Sequence, residues 1–138
     1  MKKILFLLFP IISFAQSQNE IKAINFQNTL RFYNFVDSLA YCDTLSISAQ
    51  KWAEHLADVD MLKVSSDTFG ENVYSIKKTS KTILPNFSYV IDATIYWATS
   101  VEDALEQIIN PTATKIGFGI SENKNKYFIV AKYNNVIE

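Results

Sequence analysis

The 138-residue chain sets 13 lysine and arginine side chains against 14 aspartate and glutamate, with one histidine and one cysteine. Its formal charge of −1 argues against nucleic acid as a partner, since affinity for a polyanion comes from a basic face that neutralises phosphates. A lone thiol closes no internal disulfide, so Cys42 is expected as a small buried hydrophobe, with intermolecular pairing as the alternative.

The chain opens on a basic pair, Lys2 and Lys3, an apolar run from Ile4 to Ile12, and small residues at Ser13 and Ala15. This pattern is that of an export signal cut after Ala15. The run is too short for the ~20 apolar residues a membrane span requires, and no cysteine follows it to accept a lipid. Residues 16–138 are therefore expected as one mature domain of formal charge −3, with no transmembrane segment, released to the periplasm or medium.

Residues 20–36 hold Ile21, Ile24, Leu30, Phe32, Tyr33, Phe35 and Val36 and are read as a helix of imperfect periodicity. Over 45–57 the pattern is cleaner, with Leu45, Ala49, Trp52, Ala53 and Leu56 on one helical face. The run 72–76 reads as a strand. Lys77, Lys78 and Lys81 after it read as a solvated loop. Val90, Ala93, Trp97, Val101, Ala104 and Leu105 mark a further helix. Ser100 with Asp103 resembles a capping box, so that helix is expected to break and restart near Ser100. Two β-like runs follow, 115–121 and 126–133, joined by a turn over Glu122–Asn125 whose asparagines suit unusual backbone angles. Helices before, between and after strands, without regular βαβ alternation, predict an α+β fold with helices packed on a short sheet. Trp52, Trp97, Tyr74, Phe118, Tyr127 and Phe128 are read as packing residues, because large apolar side chains are mostly interior.

The order of motifs resembles the CAP superfamily of cysteine-rich secretory, antigen 5 and plant pathogenesis-related proteins. Asn28-Thr-Leu-Arg31 resembles its N-x-x-R, the helix through Trp52-Ala53 its W-A segment, and Gly70-Glu71-Asn72 its G-E-N. Trp97 to Ser100, Ile108 to Pro111 and Lys115 to Gly119 complete the series. The resemblance implies an α-β-α sandwich with a short, mainly antiparallel sheet and a shallow cleft. In relatives with an intact cleft, two histidines and one or two acidic residues can hold a divalent metal.

Here the first histidine position is Val64, and the second falls on Asp103 or Ala104, depending on the direction of counting. A second glutamate position corresponds to Ser100. Of the family's constellation Glu71 alone remains, with Asp103 or Glu102 as substitutes. The sole histidine, His55, sits beside the Trp52 stripe of its helix and is expected to be partly exposed and idle.

Glu71 admits two roles. It could be a ligand or general base in a cleft, or it could accept backbone hydrogen bonds that fix the entry to its strand, with Gly70 allowing close approach. Without histidine partners the second role is favoured, and no base is available to activate Ser65, Ser100 or Cys42. No catalytic residue is assigned, Glu71 being the best candidate, and no metal or cofactor is expected. Glu71, Asn72, Ser65 and Asp103 are the expected binding residues. The expected function is a non-catalytic module for a small lipid or an exported protein partner. The alternative is a hydrolase or metal-binding protein using Glu71 with Asp103.

Overall fold

The computed structural model describes residues 18–79 and 88–137. The expected export signal and Lys81 lie outside them. In chain order the described elements are α1 (Gln18–Tyr33), β1 (Ala40–Tyr41), α2 (Asp43–Val59), β2 (Phe69–Lys77), α3 (Tyr89–Ser100), α4 (Glu102–Ile108), β3 (Lys115–Glu122) and β4 (Lys126–Val136). The strands form one sheet in the order β1-β3-β4-β2. Its β2–β4 and β3–β4 pairs are antiparallel, and only the short β1–β3 pair is parallel. Alternation along the strands separates two cores. Phe128, Val130 and Val73 face α2, where they meet Ala49, Ala53 and Leu56. Ile116, Phe118, Ile129, Ala131 and Tyr133 face the layer of α1, α3 and α4, with Trp97 and Ile108. The result is the α-β-α sandwich.

Helix α2 rests almost directly on β3. A Cβ at Gly117 or Gly119 would collide with the backbone of Leu45–Ser46 or Ala49–Gln50, so both positions demand glycine for space. The close approach lets side chains of α2 continue the ladder where β1 stops. Phe118 N–H donates to Ser46 Oγ (3.1 Å), and Gln50 both accepts from Ile120 N–H (2.9 Å) and donates to Ile120 C=O (2.8 Å). Part of an otherwise open sheet edge is thereby satisfied by a helix.

Helix α1 departs from its predicted face and length. It ends at Tyr33, and Phe35 adopts a left-handed backbone (φ 58°) with its side chain 99% exposed. Phe32 and Tyr33 are exposed as well, while the face turned inward carries Ala23, Ile24, Gln27 and Arg31. The polar pair at 27 and 31, not the aromatics, is the core side of this helix. Arg31 is wholly buried and bonds only to carbonyls: Nε to Asp37 (2.6 Å), Nη1 to Ile108 and Asn110 (both 2.9 Å), and Nη2 to Ala113 (2.7 Å). Desolvation pulls its pKa below the ordinary arginine value, opposed by the nearby Tyr133 and Asp37. Asn28, one turn earlier, closes a two-way pair with Leu39 (Oδ1 from N–H at 2.7 Å, Nδ2 to C=O at 3.1 Å) and so sets the entry to β1.

Other local readings shift in detail. The break between α3 and α4 falls at Val101, but no capping box forms: Val101 is the N-cap of α4 and makes no side-chain cap bond. The 122–125 turn has no positive φ. Asn123 Oδ1 instead accepts from the N–H groups of Asn125 and Lys126 (2.9 Å each), a side-chain mimic of a turn. Lys77 belongs to the end of β2, and Lys78 pairs with Glu122 (2.8 Å) over the Tyr127 ring, so neither is a free loop charge. Cys42 is half-buried, not fully enclosed, because it occupies the N-cap position of α2.

Replacing Arg31 by Met should leave the buried carbonyls of Ile108 and Ala113 without donors. Stability should fall by about 2–5 kcal/mol, read from urea unfolding with an unchanged denaturant slope.

Candidate functional site

Strand β2 is the sheet edge opposite β1, and the G-E-N tripeptide lies at its start. Each residue of the tripeptide fixes a different neighbour. Gly70 lies against the side chains of Asn135 and Gln107, which bond to each other twice (2.8 and 3.1 Å), and a Cβ would strike both. Its φ is not positive, so space rather than backbone freedom requires glycine. Asn72 is buried and donates from Nδ2 to Ala104 C=O (3.0 Å), tying α4 to the strand. The Glu71 carboxylate accepts from Ser65 N–H (2.8 Å) and Ser65 Oγ (2.6 Å), which pins the 60–68 connection to β2.

Glu71 also has a basic neighbour that the sequence reading missed. Lys132 stands opposite it on β4, with its Nζ 3.8 Å from Glu71 Oε2. Both side chains are almost fully buried, at 4% and 3% exposure. The same Nζ bonds to Asp67 Oδ2 (3.1 Å) and to Ser48 Oγ of α2 (2.9 Å). Burial works to raise the Asp67 carboxyl, but its bond and attraction to Lys132 and the N–H groups of Phe69 and Thr68 hold it below its usual value. The buried ammonium thus serves two carboxylates and a hydroxyl, with Glu71 enclosed beside it and Asp67 reaching it from the exposed side.

Beside this network lies a cavity of about 480 Å³ between β2, the α3–α4 corner, the 60–68 connection and Ile137 just after β4. Its wall includes Glu71, Asn72, Val64, Asp103 and Ala104, so the positions singled out on sequence, both readings of the second histidine position among them, converge there. Ser65 reaches the site through Glu71. Glu102 is exposed and is not among the lining residues. The rest of the wall is apolar Val73, Trp97, Val101 and Ile137, with Gln107 as its one further polar residue. Trp97, the deepest of them at 1% exposure, donates its indole N–H to Val73 C=O (3.0 Å) and so closes the edge of β2. His55 is not in this wall. It is exposed on α2 and stacks on Trp52 (4.9 Å between ring centroids).

The donor set does not fit a metal ion. Val64 and Ala104 supply hydrocarbon, Glu71 is already engaged by Ser65 and Lys132, and no group of three or more potential ligands gathers among the described residues. Three or four converging ligands are what a divalent site requires.

Fold and cleft together define an α-β-α sandwich of the CAP class. The chain belongs to the cysteine-rich secretory protein family, whose model matches residues 24–133. Among solved structures it is similar to the hookworm platelet inhibitor, with a TM-score of 0.67 and 14% identity over 89% of this chain and 72% of that one. Venom allergen-like protein 4 of Schistosoma mansoni gives 0.64 and 14% over 89% and 92%. An outer surface protein of Borrelia burgdorferi gives 0.60 and 16% over 86% and 94%. At these identities the likeness is one of fold. No curated protein matches the chain by sequence.

Lys132 could have been noticed as a lone charge inside the apolar run Phe128–Tyr133. Ser48, Asp67, Gln107 and Asn135 carried no comparable signal.

Lys132→Met should strand Glu71 as a buried, unmatched charge and cost about 3–5 kcal/mol. Adding Glu71→Gln should recover a large part of that loss, and a double-mutant cycle in urea reads the coupling. Acid should act through Asp67. Because its folded pKa is depressed, its contribution is complete above the ordinary carboxylate value near ~4 and is lost as pH falls through the folded value. The stability gap between wild type and Asp67→Asn should therefore narrow below about pH 4.

Proposed function

We propose that this chain is an exported CAP-family module that binds a small lipid-like molecule in the Trp97 cavity and performs no chemistry on it. The observation that carries this reading is a cavity wall holding Val64, Val73, Trp97, Val101 and Ile137, in which Val64 and either Asp103 or Ala104 stand where the resemblance places imidazoles. An apolar, concave pocket with a few fixed polar groups is the usual form of a small-molecule site. Glu71 is poorly placed for acid–base work, being buried against Lys132 with no histidine beside it. Export rests on the signal-like residues 1–15, and no helix among the described residues is long and apolar enough to cross a membrane.

A second reading, docking on another exported protein, is favoured by one observation. Phe32, Tyr33 and Phe35 expose 74%, 72% and 99% of their surface at one end of α1. Grouped exposed aromatics are uncommon on a monomer's surface unless they meet a partner. Mass measurement in solution and co-purification test it.

Organic extraction of the folded, purified protein should release a lipid in near-equimolar amount, identified by mass spectrometry. Val64→Arg, at a position that is 60% exposed and tolerant of change, should reduce the yield severalfold. Zinc should bind more weakly than the micromolar range in calorimetry. Micromolar zinc binding that Glu71→Ala abolishes would overturn the reading.

A further inference from the structure

The charges around the Trp97 cavity are one-sided. Its wall holds two carboxylates, Glu71 and Asp103, and no lysine or arginine. The ammonium of Lys132 stands behind Glu71 at 4% side-chain exposure, with its bonds directed to Asp67 and Ser48. Since Asp67 matches the single charge of Lys132, Glu71 is shared rather than neutralised. Asp103 is exposed in the first turn of α4; its chain neighbour Glu102 is not a wall residue. Lys63 precedes Val64 in the chain but is not a wall residue.

Resting on the reading of this cavity as a lipid-like site, we propose that it selects amphiphiles with a cationic head group, amines or quaternary ammoniums, over fatty-acid carboxylates. The apolar chain lies against Val64, Val73, Trp97 and Val101, and the cation sits at the mouth beside Asp103 and within the field of Glu71. A carboxylate head placed there would meet two like charges and no compensating base. Two unit charges some ~6 Å apart at a protein surface differ between attraction and repulsion by enough to separate affinities on the order of tenfold.

The test uses three probes of equal chain length: dodecyltrimethylammonium, dodecyl maltoside and dodecanoate. Each is titrated below its micelle concentration into the mature protein at low salt and neutral pH, by calorimetry, with circular dichroism confirming that the fold persists. The expected order is cation, then neutral, then anion, with the cation favoured over the anion by on the order of tenfold and the ratio shrinking as salt screens the charges. Asp103→Asn should lower that ratio by on the order of threefold, and Asp103→Lys should invert it. Equal binding of all three probes, or a preference for dodecanoate, overturns the head-group inference and leaves the cavity reading standing. Binding of none of them overturns both.

Discussion

A single buried guanidinium holds the helical layer in place. Arg31 bonds to no carboxylate among the described residues, although the charge of Asp37 lies nearby; it is held by four backbone carbonyls drawn from three parts of the chain. Three of those carbonyls belong to the end of α4 and the Asn-Pro segment leading to β3, regions where helix termination would otherwise leave acceptors unmet. The arginine therefore stands in for missing backbone donors and fixes where α4 stops. Since α4 supplies Asp103, Ala104 and Gln107 to the cavity wall, the position of that wall follows from a side chain on a different helix. Lysine could not do the same, having one compact donor group in place of a planar fork.

A second polar network governs the other side of the cavity. A buried carboxylate is costly unless paired and hydrogen-bonded, and Glu71 meets that condition through Ser65 and Lys132. Lys132 in turn is satisfied by Asp67 and Ser48, which reach it from the connection before β2 and from α2. The network thus joins that connection and α2 to the central strand β4. Glu71 is thereby a joint between the 60–68 connection and the sheet. Val64 and Ala104 beside it line the cavity with apolar surface.

The elements readable from sequence were those whose apolar residues also face the core. The α2 stripe and the β3–β4 hairpin meet that condition, and both follow the predicted pattern. α1 fails it. Its aromatics point outward while Gln27 and Arg31 face in, because the interior need there is for hydrogen-bond donors to carbonyls and for a partner to the buried Tyr133 hydroxyl (2.8 Å to Gln27 Oε1). No hydropathy period reports such a need. Strand β1, at two residues, is too short for any period to appear. Of the site, Glu71, Asn72, Asp103 and Ala104 were legible through motif order, whereas Lys132 and Asp67 were hidden because their roles depend on cross-strand register and on a loop that returns to the sheet.

The two edges of the sheet are covered in different ways. At β3 the edge is short of strand partners beyond Ile116, yet Ser46 and Gln50 of α2 bond directly to its backbone, and that intimacy requires glycine at 117 and 119. At β2 no helix comes so close. Larger residues intervene, with the Trp97 indole reaching Val73 and the Asn72 amide reaching Ala104, and long side chains bridging an edge at single points leave volume between them. Helix α2, laid on glycines, satisfies the β3 backbone yet leaves a cavity of about 490 Å³ lined by Ser46, Ile47, Gln50, Lys51, Glu54 and Phe118, and the helices held off by tryptophan and asparagine leave one of about 480 Å³ beside β2. A cavity therefore lies beside each edge, and the two differ in lining: Lys51 and Glu54 bring both signs of charge to the one at β3, whereas the charged side chains at β2 are carboxylates alone.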